Sequence, residues 1–171
     1  MRIFIPDIFE ITFVNSIHQF KVEGIGGVEI DFAKFKGKKI IVVNVASECG
    51  YTPQYQQLQE LYEEFKDNLV IVGFPSNDFG AQEPGTNAEI QQFCTSVYGV
   101  RFLMTAKISI KGPKPHPVYQ WLTSKDLNGR LDSEVQWNFC KYLLDEAGQL
   151  IHSYPSSVSP LDEQILNWVT S

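Results

Sequence analysis

Three cysteines in 171 residues, with no CxxC pair among them, exclude two common uses of thiols. A zinc ribbon needs paired cysteines at short spacing, and a thioredoxin-type dithiol needs its two within one turn. No apolar run approaches the ~18–20 residues that span a bilayer, so no stable membrane insertion is expected. Basic charge is also short: 14 Lys and Arg face 20 Asp and Glu, a net charge of -6. A surface of that sign repels phosphates and argues against a nucleic-acid partner. Two lysine clusters, Lys34–Lys39 and Lys107–Lys114, read as solvated turns. Repeats, low-complexity tracts and Gly/Ser-rich linkers are absent, which leaves one compact unit. No metal-ligand spacing is present, and neither a metal nor a cofactor is expected.

The chain contains 43% hydrophobic and 20% charged residues, the balance of an ordinary globular domain. At this length one domain buries about 70% of its unfolded surface. The opening segment, MRIFIPDIFEITFVNSIHQF, is apolar but broken by Pro6, Asp7 and Glu10. It makes a poor secretory signal. A reducing, cytoplasmic setting is therefore expected, where thiols are kept for catalysis or redox exchange.

Periodicity gives the order of elements. Residues 17–32 carry Gly24, Gly26 and Gly27 between two short strand-like runs, a hairpin signal. Residues 38–47, KKIIVVNVAS, form a continuous apolar run typical of a strand covered on both faces. The following segment places Thr52 as a helix cap and Pro53 at the first helical position, with Tyr55, Leu58, Leu61, Tyr62 and Phe65 on one stripe. A second buried strand is expected over 68–76. Beyond it a helix opens on a Thr86–Glu89 capping box and carries Ile90, Phe93 and Val97 at helical spacing. A short helix over 116–125, a hairpin turning at Glu146-Ala147-Gly148 and a terminal helix complete the pattern. The class is α/β: a mixed central sheet flanked by helices, with an N-terminal β-hairpin.

Cys49 falls between the first buried strand and the helix after it. That junction, at the carboxyl end of a parallel strand, is where open α/β sheets build their sites. The unpaired N–H groups of the first helical turn favour a thiolate there. Position alone leaves two readings open, a small buried filler or a reactive thiol.

Three separated blocks, VNVASECGYTPQY, GFPSNDFGAQEPGTNAEI and WNF, resemble in order and spacing the signature blocks of the glutathione peroxidase family. The resemblance runs from about Ser16 to the C-terminus, so the chain divides into an N-terminal extension, 1–15, and one domain, 16–171. It implies a thioredoxin-like fold and reduction of hydroperoxides by a peroxidatic cysteine or selenocysteine, the position held here by Cys49. It also assigns catalytic positions to Gln82, Trp137 and Asn138. These residue types suit the task. An amide, an indole N–H and a second amide are neutral donors that stabilise sulfur anion and departing oxygen without adding an ion pair. None of the three histidines lies in these blocks, so activation rests on fixed dipoles.

Attack on a peroxide leaves Cys49 as a sulfenic acid, which a second thiol must reduce. Cys94 stands where thioredoxin-using relatives carry their resolving cysteine. The resemblance thus implies a Cys49–Cys94 disulfide, which needs Cα atoms within about 7 Å and therefore a rearranged helix. Cys140 reads as buried filler. The interval Thr123–Glu134 is short where tetrameric glutathione-using relatives have an insertion. That points to a monomer with an open site, able to take lipid hydroperoxides and a thioredoxin-like protein reductant, with glutathione the weaker alternative. A peroxide sensor that passes its oxidation to a partner would use the same cysteines. A non-catalytic binding module would not need all four site residues. The chain departs from the family at Asp78, usually Gln, which adds negative charge near the site, and at Leu103, usually Pro. Ser76 replaces a further cysteine of some members.

Overall fold

The computed structural model describes residues 15–171; the extra strand or docking segment considered for the residues before them lies outside the described residues. After a 3-10 turn at Ile17–Gln19, β1 (Lys21–Glu23) and β2 (Glu29–Asp31) form the expected antiparallel hairpin. Gly24 closes it because nothing larger fits: a Cβ there would lie 2.2 Å from the Val28 carbonyl oxygen. That oxygen accepts the Gly24 N–H.

The continuous apolar run becomes β3 (Lys39–Val45), in which all seven residues are buried. β3 pairs in parallel with β4 (Leu69–Pro75), which pairs in parallel with the short β5 (Leu103–Met104). On its other side β3 meets β6 (Lys141–Leu144) antiparallel, and β6 continues the hairpin into β7 (Leu150–Tyr154). The sheet order is β5-β4-β3-β6-β7, one half parallel and the other antiparallel.

Alternating side chains of β3 feed two cores, and each fully buried Ile or Val adds about 1.5–3 kcal/mol. Ile40 and Val42 face one layer with Val118, Tyr119 and Leu122 of α3 (Pro117–Thr123); α4 (Lys125–Asn128) follows directly. Ile41, Val43 and Val45 face the other layer. There they meet α1 (Gln54–Phe65), α2 (Asn87–Tyr98) and α5 (Glu163–Thr170) through Tyr55, Leu58, Leu61, Ile90, Cys94 and Ile165. The Thr86–Glu89 capping box is formed as expected.

Three local expectations need correction. Thr52 does not cap α1: the helix begins at Gln54 after Pro53, with no side-chain cap. Its buried hydroxyl is used inside the loop instead. On α2 the inward positions are Ile90 and Cys94, while Val97 is 58% exposed. The last strand pair starts late, because residues 137–140 form a turn with Phe139 at φ +63° and β6 begins only at Lys141.

Candidate active site

The site gathers where three loops leave the sheet. The loop after β3 carries Cys49, the loop after β4 carries Gln82, and the turn before β6 carries Trp137 and Asn138. What folds each loop explains where its functional group points.

In the first loop, Thr52 Oγ1 accepts the Cys49 N–H at 3.0 Å and donates to the Ala46 carbonyl at 2.8 Å. These two bonds wind residues 46–52 tightly ahead of α1. The winding aims the Tyr51 N–H at the Cys49 sulfur, 3.3 Å away. The donor is a backbone group, fixed in place by the loop and unable to titrate. Cys49 is buried, with 8% of its surface exposed, and it is a free thiol.

In the second loop the chain turns sharply through two left-handed residues, Gly80 at φ +71° and Ala81 at φ +53°. Gly80 is needed for space as well as conformation, because a Cβ would lie 2.7 Å from Cη2 of Trp137 and 3.4 Å from Cγ of Gln82. Ala81 is not glycine, and holding it left-handed costs about 1 kcal/mol or more. The turn delivers Gln82 to the Asn138 side chain, whose Nδ2 donates to Gln82 Oε1 at 3.0 Å and to the Phe79 carbonyl at 3.3 Å. The Glu48 N–H donates to the Gln82 carbonyl at 3.0 Å, joining this loop to the residue beside Cys49.

The third segment is held by a residue that sequence reasoning passed over. Asn44, inside the apolar run of β3, is fully buried. Its Nδ2 donates to the Trp137 carbonyl at 2.9 Å, its Oδ1 accepts the Cys140 N–H at 3.0 Å, and its carbonyl accepts the Phe139 N–H. One strand residue thus clamps the whole 137–140 turn. The signal was present: a lone Asn in a continuous apolar strand needs partners to be tolerated. The Asn138 carbonyl accepts from Ser156 Oγ, and Trp137 packs against both cores. Cys140 is buried as expected, yet it is more than filler, since its thiol donates to the Trp137 carbonyl at 3.3 Å.

Around this centre the electrostatics are specific. Burial pushes the Asp78 carboxyl up, but the N–H groups of Lys111 and Ile110 and the Ser109 hydroxyl outweigh it and hold it below the ordinary range. Its negative charge is therefore directed at residues 109–111, bonded to Ile110 N at 2.6 Å and Lys111 N at 3.0 Å. Burial pushes the Cys94 thiol up to about 11, with the Tyr55 hydroxyl pulling the other way. Cys94 is a free thiol in the same core as Cys49, and the structure holds no bond between them. Among the described residues, no three His, Cys, Asp or Glu side chains converge where they would hold a metal ion.

A free thiol facing a backbone donor, with a carboxamide pair and an indole carried on the adjoining loops, is a set of groups suited to cleaving a weak O–O bond. Comparison with known proteins agrees. The family described as glutathione peroxidase matches residues 17–123. The chain is 43% identical over 147 residues to the glutathione peroxidase homolog BsaA of Halalkalibacterium halodurans, covering 85% of this chain and 93% of that one. It is 44% identical over 150 residues to the glutathione peroxidase-like peroxiredoxin HYR1 of Saccharomyces cerevisiae, covering 84% and 91%. The crystal structure of Trgpx in apo form superposes with a TM-score of 0.68 at 33% identity, over 91% of this chain and 96% of that one. A thioredoxin family thiol:disulfide interchange protein from Chlorobium tepidum, 16% identical over 89% of this chain and 93% of that one, shares the fold at a TM-score of 0.60. The fold is thioredoxin-like, and the chain belongs to the glutathione peroxidase family, as a peroxidase.

Proposed function

We propose that Cys49 is the peroxide-reactive thiol, served by Gln82, Trp137 and Asn138, with Cys94 as the resolving thiol and a thioredoxin-like protein as reductant. The observation that carries this reading is the Tyr51 N–H on the Cys49 sulfur, in a loop bonded directly to the Gln82–Asn138 pair. In the first step the Cys49 thiolate attacks one peroxide oxygen. An S–O bond forms, the O–O bond breaks, and the departing alkoxide or hydroxide takes up a proton. Amide and indole donors stabilise the charge that develops on the leaving oxygen. The products are alcohol or water and a Cys49 sulfenic acid. Hydrogen peroxide and organic or lipid hydroperoxides are the substrates of this reading.

In the second step the Cys94 sulfur displaces the sulfenic oxygen, forming the disulfide and releasing water. Cys94 is only 2% exposed, so α2 must move first. Of its twelve residues only Ile90 and Cys94 are buried, with Phe93 and Tyr98 partly buried against the same core. A cavity of about 440 Å³ opens beside Cys94, between α2, the β1–β2 hairpin and β5. Segments with few buried contacts open at low cost. A dithiol protein then reduces the disulfide by exchange. The cysteine chemistry, the short 123–134 interval and the yeast relative's description as a peroxiredoxin support this reading over glutathione. We read the working unit as a cytoplasmic monomer.

The test is peroxide-dependent NADPH oxidation with thioredoxin and thioredoxin reductase, run beside glutathione with its reductase. Turnover with thioredoxin is expected to exceed that with glutathione, and the reverse order would overturn the choice of donor. Cys94→Ser should still be oxidised once at Cys49 but should lose thioredoxin-coupled turnover; full turnover in that variant would remove Cys94 from the mechanism.

A further inference from the structure

Glu83, next to Gln82, is completely buried. Its Oε1 accepts two bonds from one residue of the opposite loop, the Ser47 N–H at 3.1 Å and the Ser47 hydroxyl at 2.5 Å. Its Oε2 is buried with no partner at all. The backbone is held as firmly: the Glu83 N–H donates to Asn77 Oδ1 at 2.9 Å, and Lys107 Nζ donates to the Glu83 carbonyl at 3.2 Å. Lys107 also reaches the Gly85 carbonyl. Glu83 is thus fixed from its own loop and extended into the loop that carries Cys49.

Stability does not explain such a residue. Burying a carboxyl with an unsatisfied oxygen is costly, and an apolar side chain would fill the same space without that cost. Burial does push the Glu83 carboxyl up, against the pull of the two Ser47 donors. What the carboxyl supplies and an apolar group lacks is a single oxygen that accepts both donors of Ser47. With the Glu48 N–H on the Gln82 carbonyl, it completes a two-rung latch: Ser47 to Glu83, Glu48 to Gln82. Cys49 follows directly on one side, and the Gln82–Asn138 pair sits on the other.

We propose that Glu83, through Ser47, is a positioning residue that sets the Cys49 sulfur in register with the carboxamide donors of Gln82 and Asn138. The site has no titrating base among its donors, so its rate depends on their placement. This rests on the reading of Cys49 as the peroxide-reactive thiol. Attack on a peroxide needs sulfur and donors together, whereas alkylation of Cys49 by iodoacetamide needs the sulfur alone. Loss of the latch therefore separates the two reactions, while general loosening raises alkylation and loss of the thiol abolishes both.

The experiment measures both second-order rates at Cys49, with hydrogen peroxide and with iodoacetamide, in the wild type, Glu83→Ala, Glu83→Gln and Ser47→Ala. For Glu83→Ala the peroxide rate should fall on the order of 100-fold, as expected when a reacting group is displaced by about 1 Å, with alkylation near the wild-type rate. Glu83→Gln keeps an acceptor oxygen for both Ser47 donors and should recover most of the loss. A Glu83→Ala protein that keeps its peroxide rate, or loses both rates together, overturns the proposal, as does a Glu83→Gln protein no better than alanine. If Glu83→Ala does not fold, Ser47→Ala decides: a selective fall in the peroxide rate supports the latch and unchanged selectivity overturns it. A wild-type protein alkylated at Cys49 but inert to peroxide would instead overturn the underlying reading of Cys49.

Discussion

The Asn138 side-chain amide donates to the Gln82 side-chain oxygen across 3.0 Å, joining residues 56 positions apart in the chain. The bond engages the Gln82 oxygen, so under the proposed mechanism its NH₂ group is the end that would meet a substrate. The Asn138 Oδ1 is buried without a partner, so the pair is joined by this one contact.

Removing either member should therefore damage the same step. Gln82→Ala and Asn138→Ala are each expected to lower the peroxide rate of Cys49 by about 10²–10³, the usual cost of one preorganised donor. The double variant should lose much less than the product of the two, because residues sharing a bond are not additive. Stopped-flow oxidation of the four proteins measures the cycle, and full additivity would show that the contact does not couple them.

Asn44 should couple stability to activity. Asn44→Leu leaves the buried Cys140 N–H without its acceptor, which costs about 1–3 kcal/mol, and releases the turn that carries Trp137 and Asn138. Urea unfolding should show a lower midpoint with an unchanged slope. The peroxide rate should fall under conditions where the variant is still fully folded.

Lys141 gives a pH signature. Its side chain is fully buried and donates to the carbonyls of Ser156 and Val158. Burial pushes its ammonium down to about 8. Below that pH the folded and unfolded chains are both protonated there, and the group adds no pH dependence. Above it the folded chain has given up the proton while the unfolded chain retains it, so stability rises with pH. The buried Cys94 thiol, pushed up to about 11 from 9, works in the opposite direction above pH 9. The clean window is therefore pH 8 to 9, where the free energy of unfolding should rise by up to about 1 kcal/mol. Lys141→Met should be flat across that window; a wild type that is flat or falling there would contradict the assignment.

Much of this architecture could be read from the chain because it follows from repeated local patterns. The run over 38–47 read as a doubly covered strand and became β3, and Thr86 with Glu89 marked the start of α2. The residues that failed were those whose partners are distant. Thr52 looks like a helix cap in sequence but finds the Ala46 carbonyl and the Cys49 N–H closer to hand. The positive φ of Phe139, which delays the start of β6 to Lys141, goes with the N–H bond to the Asn44 carbonyl and leaves no trace in local propensity. Among the candidate site residues, position after a strand left Cys49 open between filler and reactive thiol, and the family's blocks singled it out together with Gln82, Trp137 and Asn138. Glu83 escaped because nothing local distinguishes a buried glutamate from an exposed one in a loop.

The central claim is that one sulfur carries the chemistry, and peroxide consumption by Cys49→Ser tests it most directly. With hydrogen peroxide in excess and reductant present, the wild type is expected to turn over and Cys49→Ser to match the protein-free background, while Cys140→Ser keeps wild-type activity. A Cys49→Ser protein that still consumes peroxide well above background would contradict the account.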